Sequence, residues 1–174
     1  VIQRLDKQNV IIDLGKVEAV LTVNEQIPGE IYQYHDRMKT YILEVKRTSK
    51  GTQVMVSRTH PGLLKRLFEL EVPEISDGVV EIKSVAREPG MRSKISVYTQ
   101  DENIDPVGAC VGHKGMRVQT IVNELRGEKI DIVKYSEDPA QYVANALSPA
   151  KVVSTEVNLD EKICRVVVPD YQLS

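Results

Sequence analysis

One stretch of the sequence, with three glycines and a lysine, has the residue types that bind phosphate. In "GACVGHKGMRVQTIVNEL", Gly108, Gly112, Lys114 and Gly115 precede a run of periodically spaced apolar residues. Glycines let a backbone approach an anion without a side-chain clash. A helix that begins after them directs unpaired N–H groups and a partial positive charge at that anion. The phosphate could belong to a nucleotide cofactor or to a nucleic acid strand.

The spacing of these residues excludes the two common nucleotide-binding loops. A dinucleotide fingerprint needs G-x-G-x-x-G directly after a strand, whereas the residues before Gly112 have a helical pattern. A P-loop needs lysine after its last glycine and then Ser or Thr, but here Lys114 precedes Gly115 and Met116 follows it. A nucleotide-dependent enzyme is therefore disfavoured, and we expect no catalytic residues and no cofactor.

A G-x-x-G corner between two short helices instead fits the clamp that KH modules close on about four nucleotides of a single strand. The residues that we expect to contact RNA are Val111, Gly112, His113, Lys114, Gly115 and Arg117. A plain helix–turn–helix corner with solvated charges is the alternative for the same residues. Cys110 and His113 form a lone C-x-x-H without a second pair, so we expect no metal site and assign Cys110 to the core.

The segments on either side of the corner are predicted to be helices. Asp105-Pro106 is a typical helix start, and Gly127 stands where a C-terminal cap belongs. The helix after the corner has apolar residues at i, i+3, i+4 and i+7, namely Val118, Ile121, Val122 and Leu125. The segment "KIDIVKY" that follows is predicted to be a strand.

The first 58 residues contain five β-branched runs separated by turn residues. Five short strands in this length indicate an OB-type barrel, with a five-stranded SH3-like barrel as the alternative. Basic residues on this barrel could contact RNA, with Lys16, Arg37 and Lys39 as the candidates. Aromatic residues for base stacking are few, because the whole chain has one Phe and no Trp.

After the barrel, a predicted helix and hairpin complete the module that carries the corner. In "HPGLLKRLFELEVPEI" the apolar residues approximate one helical stripe; they are Leu63, Leu64, Leu67, Phe68 and Leu70. "VVEIKSVA" and "SKISVY" then form a hairpin through Pro89-Gly90. A second proline-initiated helix and hairpin begin near Pro139, which predicts an internal repeat whose second copy ends after its hairpin.

Charge and composition limit the kinds of partner. The net charge of −2 gives no global case for nucleic acid, so a polyanion site must be a local patch. Two cysteines fit a reducing compartment better than a disulfide framework. No apolar run approaches the roughly 20 residues that span a bilayer. We therefore expect a cytoplasmic protein that has no membrane partner.

These segments also resemble a known family. The order of elements around "VGACVGHKGMRVQTIVNELRGEKIDIV" is similar to a prokaryotic-type KH domain. The longer series "NVIIDLGKVEAVL", "SRTHPGLLKRLFELEVPEI", "VAREPGMRSKISV" and "SEDPAQYVANALSPAKV" resembles the NusA family of bacterial transcription factors over essentially the whole chain.

The resemblance implies an α/β (α+β) multidomain fold: an OB barrel of the S-one type at 1–59, a type II (αββααβ) KH domain at 60–136 and a truncated second KH αββ unit at 137–174. It also implies an RNA-polymerase-binding domain before Val1 and a second G-x-x-G after Ser174. The expected partners are nascent single-stranded RNA, RNA polymerase and other antitermination factors, and the chain itself is expected to be monomeric.

Two functions from different classes remain at the sequence level. One is single-stranded RNA binding by a transcription factor that modulates RNA polymerase pausing, termination and antitermination. The other is a protein–protein scaffold that docks polymerase or ribosomal partners with little RNA binding. The slightly acidic balance of residues 61–150 favours the scaffold, whereas a G-x-x-G that carries Lys114 favours RNA.

Overall fold

The computed structural model describes residues 1–172 as a five-stranded barrel-like sheet, an α/β module and a short helix–hairpin unit. The first sheet contains β1 (Ile2–Asp6), β2 (Asn9–Asp13), β3 (Glu18–Leu21), β4 (Tyr41–Thr48) and β5 (Gly51–Ser57) in the order β1-β2-β3-β5-β4. Strands β1 to β3 are antiparallel neighbours, and β3 pairs in parallel with β5. The crossing from β3 to β4 is the Greek-key connection of an OB fold, so this prediction is confirmed over the SH3-like alternative.

Alternating apolar residues give this sheet its own core. The buried side chains come mainly from the middle of each strand; they are Ile2, Val10, Ile12, Ala19, Leu21, Val54 and Val56. The seam between the edge strands β1 and β4 is covered in part by the loop before β4. Ile2 donates its N–H to the Asp36 carbonyl oxygen at 2.9 Å and accepts from the His35 N–H at 3.0 Å.

The α/β module packs four helices, one of them very short, with a three-stranded sheet. Its elements are α1 (Pro61–Glu71), α2 (Pro73–Ser76), β6 (Glu81–Glu88), β7 (Arg92–Tyr98), α3 (Pro106–Val111), α4 (Met116–Glu124) and β8 (Lys129–Lys134). Strands β6 and β7 are antiparallel, and β7 and β8 are parallel. This is the predicted αββααβ order with one additional short helix, α2. Four residues of the α1 stripe are buried, whereas Leu70 in the last turn is exposed.

Each helix start follows the local chemistry of its sequence. Asp105 accepts a hydrogen bond from the Val107 N–H at 3.1 Å, and Pro106 occupies the first turn of α3. At α1 the cap is His60, whose Nδ1 accepts from the Gly62 N–H at 2.9 Å. The His60 ring also stacks on Tyr41 of β4, with centroids 4.5 Å apart, and so connects the barrel to the helix.

The end of α4 departs from the prediction that Gly127 would be its left-handed cap residue. Arg126 has φ +55°, and its N–H and that of Gly127 donate to Asn123 and Val122 carbonyl oxygens. This is a Schellman arrangement in which Arg126 occupies the left-handed position and Gly127 follows it. The contacts that Arg126 makes with the barrel, described below, hold it in a conformation that a non-glycine residue seldom adopts.

The last described unit packs against the outer face of the three-stranded sheet. It contains α5 (Pro139–Ala146), β9 (Ser154–Asn158) and β10 (Ile163–Val167). Tyr142 shares a 2.7 Å hydrogen bond with Ser96 of β7, and the Lys94 ammonium donates to the Ser148 carbonyl oxygen at 3.1 Å. The boundaries predicted at 59/60 and 136/137 stay a prediction, and residues 173–174 of the third predicted unit lie outside the described residues.

A buried guanidinium connects the barrel to the α/β module, the part of the chain predicted to be a KH domain. Arg58, with 0% of its side chain exposed, pairs with Glu30 and with Glu124 of α4. Glu30 belongs to the connection between β3 and β4, residues 22–40, which we call the barrel loop. It also donates to the carbonyl oxygens of Lys39 at 2.8 Å and Glu124 at 3.0 Å. Burial opposes the charge of Arg58, but the hydrogen bond and charge of Glu30 outweigh it and raise the pKa of the guanidinium.

We expect Arg58→Met to lower the free energy of unfolding by about 3–5 kcal/mol, because Glu30, whose side chain is only 2% exposed, loses a buried cationic partner. Urea denaturation of this variant, of Glu30→Met and of the double variant gives the coupling free energy between Arg58 and Glu30. The double variant should lose much less than the sum of the two single losses. Arg4→Met, which breaks an exposed pair with Glu18, is the control and should cause a far smaller change. Additive, small effects at Arg58 and Glu30 would contradict the role of this pair.

The two cysteines should differ sharply in reactivity. Burial raises the pKa of the Cys110 thiol to about 12, whereas Cys164 is exposed. Since the thiolate is the reactive form, a thiol reagent at pH 8 should modify Cys164 quickly and Cys110 only after unfolding. The Cys164→Ser variant should therefore show no fast-reacting thiol in the native state, and a fast phase in that variant would show that the core around α3 opens readily.

Candidate nucleic-acid interface

The G-x-x-G corner is a solvent-exposed connection between α3 and α4. Gly112 ends α3 with φ +77° and ψ 173°, and residues 113–115 form a single 3-10 turn before α4 begins at Met116. Lys114 and Gly115 also have positive φ values, of +51° and +75°. The element that enters the corner is a helix, as predicted. The side chains of His113 and Lys114 both extend into solvent.

The backbone of Gly112 is in a region that only glycine adopts readily. A Cβ at this position would lie 2.7 Å from Cγ of Arg117, a contact that real Cβ atoms do not make. Gly115 differs, because its missing Cβ would meet open space. The first glycine is therefore required by both torsion and packing, and the second by torsion alone.

The N-terminus of α4 offers main-chain donors to an anion. Gly115 is its N-cap residue, and no side chain within the described chain caps it. The Met116 N–H is already used, because it donates to the His113 carbonyl oxygen. The other first-turn N–H groups of a helix have no intrahelical acceptor, and the helix dipole adds a partial positive charge there. From Pro106 to Asn123 the sequence contains no Asp or Glu, so no carboxylate from α3, the corner or most of α4 opposes this charge.

Arg117 makes contacts within the protein that the sequence did not predict. Its Nη1 donates to Glu74 Oε2 of α2 at 2.9 Å and to the Ala109 carbonyl oxygen of α3 at 2.7 Å. The guanidinium thus satisfies a carbonyl of α3 and fixes the angle between α3 and α4 across Gly112. An RNA contact of Arg117 stays a prediction, and its side chain is already used by the fold. Val111 is half-buried in the last turn of α3.

The barrel candidates lie in two separate places. Arg37 and Lys39 are exposed in the loop before β4, and the Lys39 N–H donates to Glu124 Oε1 of α4 at 2.7 Å. This loop is therefore docked on the C-terminal end of the helix whose N-terminus forms the corner. Lys16 is exposed in the turn between β2 and β3. The structure brings Arg37 and Lys39, rather than Lys16, to the KH-like module.

Sequence reasoning missed the residues that hold this loop in place. Arg126 pairs with Glu30 at 3.3 Å and with Asp36 at 3.1 Å, and it donates to the Ile31 carbonyl oxygen. The hydroxyl of Tyr32 donates to Glu30 at 2.7 Å, and burial together with that bond raises its pKa. The sequence signal was slight, since an arginine before a C-terminal glycine usually marks a solvated helix end.

Residues 1–172 contain neither a cluster of His, Cys, Asp and Glu that could hold a metal ion nor a helix long and apolar enough to cross a membrane. The exposed corner presents main-chain donors, Lys114 and His113. These groups can hold a phosphate.

A helix, a G-x-x-G corner and a second helix on a mixed three-stranded sheet define a nucleic-acid-binding module of the KH class. Comparison with known families agrees with this. The NusA-like first KH domain matches residues 58–135, and the NusA-like second KH domain matches residues 139–174. The chain belongs to the NusA family.

Individual relatives align over the whole chain. Proteins named transcription termination/antitermination protein NusA are 67% identical in Halalkalibacterium halodurans, 66% in Bacillus subtilis and 48% in Thermus thermophilus, each over 100% of this chain. The alignments cover 46%, 47% and 45% of those relatives. The chain thus spans about half the length of the curated relatives that it matches.

We expect Gly112→Ala to destabilise the protein more than Gly115→Ala does. The torsion alone costs about 1–3 kcal/mol, and the new methyl group must also displace Arg117 from Glu74 and Ala109. Chemical denaturation measures both variants. In an Arg117→Ala background the cost of Gly112→Ala should fall, because the contacts with Cγ and Cδ are gone and only the 2.9 Å contact with Cβ of residue 117 remains. If Gly112→Ala costs as much in the Arg117→Ala variant as in the unaltered chain, the position of Arg117 does not depend on the absence of a side chain at Gly112.

Proposed function

We propose that this chain binds single-stranded RNA at the G-x-x-G corner, as part of a transcription factor that modulates RNA polymerase pausing, termination and antitermination. The observation that carries the proposal is the geometry of the corner. An uncapped helix N-terminus, two glycines and two exposed side chains, His113 and Lys114, face solvent together. The names of the relatives, which are transcription termination/antitermination proteins, support the cellular setting.

The corner holds the sugar-phosphate backbone without doing chemistry on it. Main-chain N–H groups of the first turn of α4 donate to phosphate oxygens, and the lack of a side chain at Gly112 and Gly115 lets the strand come close. Lys114 adds a mobile charge, and His113 donates a hydrogen bond in either protonation state. We therefore propose a protein that is not an enzyme and that needs neither cofactor nor metal for this function.

The proposed partners follow from the same reading. The strand is nascent RNA, and polymerase contacts are made by parts of the protein other than those described, with other antitermination factors as further partners. We propose a monomer that works in the cytoplasm.

The competing function is a scaffold in which the corner is only a connection between helices. The pairing of Arg117 with Glu74 favours the scaffold, because it leaves Lys114 as the one permanently charged side chain of the corner that is available to bind phosphate.

We expect His113→Asp combined with Lys114→Asp to remove most affinity for single-stranded RNA and to leave the fold intact. Asp tolerates the left-handed backbone at position 114 and suits the helix N-terminus, whereas its charge repels phosphate. Fluorescence anisotropy with a short unstructured RNA measures the affinity. For the unaltered chain the logarithm of affinity should fall with the logarithm of salt concentration, with a slope of about −0.7 for each phosphate contact.

The matched control is Ser49→Asp with Lys50→Asp, which makes the same change of net charge in the exposed turn between β4 and β5. It should bind nearly as tightly as the unaltered chain. Equal losses in the two double variants would show a general charge effect. No salt-dependent binding by the unaltered chain would favour the scaffold. Circular dichroism of each variant checks that it is folded.

A further inference from the structure

A cleft of about 320 Å³ lies where the barrel loop meets the KH module, away from the G-x-x-G corner. Its walls come from the loop residues Ile27, Pro28 and Ile31, from Gly90 of the β6–β7 turn and from Arg126 after α4. Clefts of this size at domain junctions are common positions for flat small ligands. The RNA contacts proposed at the G-x-x-G corner do not involve this cleft.

The side of the cleft formed by Arg126 is planar and held in place. Three different groups of the barrel loop accept hydrogen bonds or ion pairs from the edges of this guanidinium, namely Glu30, Asp36 and the Ile31 carbonyl. Its side chain is nevertheless 37% exposed. Each of the three guanidinium nitrogens has a partner in the barrel loop, so the orientation of the plane is fixed, and the face of a guanidinium stacks well on aromatic rings.

The lining of the cleft also includes accessible apolar side chains. Ile31 is 68% exposed, and Pro28 lines the same cleft. Gly90 approaches so closely that a Cβ there would lie 2.7 Å from Ile27 Cγ2. The barrel and the β6–β7 turn are therefore in direct contact beneath the cleft, and its floor is fixed.

The charges around the cleft favour a neutral ring over an anion. Glu30 and Asp36 each pair with Arg126, and Glu30 pairs with Arg58 as well, so no positive charge is left over to hold a phosphate inside. The exposed cations Arg37 and Lys39 belong to the same loop but do not line the cleft. A base could enter while its phosphate stays outside near these side chains.

The distance to the corner suits a strand that is already clamped. Helix α4 separates the two places, and from Gly115 to Arg126 it rises about 1.5 Å per residue, or roughly 16 Å. A stacked strand advances about 3.4 Å per nucleotide, so this separation corresponds to about five nucleotides. The exposed face of α4 between them is uncharged; it consists of Met116, Gln119, Thr120 and Asn123.

We propose that this cleft is a second RNA subsite, which receives one base of the strand held at the corner and stacks it on the face of Arg126 against Ile31. The subsite rests on the proposed function, because the corner supplies the strand. It adds a base-reading contact at the barrel–KH junction to a clamp that grips only the backbone.

The test compares RNA lengths. A four-nucleotide RNA fills the corner alone, and an RNA of about ten nucleotides reaches the cleft. We expect Ile31→Asp to weaken binding of the longer RNA about tenfold and to leave the four-nucleotide RNA unaffected in an NMR titration. The side chain of residue 31 is exposed and only its backbone contacts Arg126, so the variant should fold. Ile31→Asn, the neutral control, should lose less.

Crosslinking supplies a readout that does not depend on affinity. A 4-thiouridine moved one position at a time along the longer RNA should crosslink to residues 27–31 from one position, displaced by about five nucleotides from the position that crosslinks to residues 113–116. Two results would overturn the subsite while leaving the corner in place. One is that no position of the 4-thiouridine gives a crosslink to residues 27–31, and the other is that Ile31→Asp lowers the affinity for both RNA lengths equally. If the unaltered chain binds neither RNA, the subsite and the proposed function fail together.

Discussion

The buried guanidinium of Arg58 is the interaction on which the arrangement of this protein depends. It reaches from the end of β5 to Glu30 in the barrel loop and to Glu124 near the end of α4. A buried charge is tolerated only when its partners and hydrogen bonds are nearly complete, so the loop and the helix must keep their mutual position for Arg58 to remain satisfied. Ile27 of the barrel adds an apolar contact by joining the core of the KH module.

This connection has a consequence for nucleic-acid binding. Helix α4 carries the G-x-x-G corner at one end and the docked barrel loop at the other, so the two surfaces that could contact RNA are fixed at a helix length from each other. A rigid separation lowers the conformational entropy that a strand must overcome to engage both. The barrel thus positions its loop for the KH module as much as it offers a surface of its own.

Local electrostatics also explain how a chain with net charge −2 can suit a polyanion. The acidic residues nearest to the corner and the junction are mostly paired: Glu74 with Arg117, Glu124 with Arg58, and Glu30 and Asp36 with Arg126. Glu128, fully buried, is paired with Arg87. The field near the corner is therefore set by the N-terminus of α4 and by Lys114, and the overall balance of charge is a poor guide to it.

Much of the fold and the position of the glycine corner between two helices could be predicted because their signals are local. Five alternating strands, Asp-Pro and His-Pro helix starts, and the spacing of Gly112 and Gly115 all act over a few residues. The role of Arg117 could not be read in this way, because its partner Glu74 is 43 residues away in sequence. The same holds for Arg126, whose left-handed backbone depends on three acceptors in a loop about 90 residues earlier.

The sequence by itself determined the elements, the exposed glycine corner and the family to which the chain belongs. Only the tertiary structure decided which cations remain free for a ligand and which are consumed by the fold. The physical reason is that hydrophobic periodicity and capping are properties of neighbouring residues, whereas an arginine on a sequence has no intrinsic partner. Its role is decided by the carboxylates and carbonyl oxygens that folding brings within hydrogen-bond distance, and by how much water remains around them.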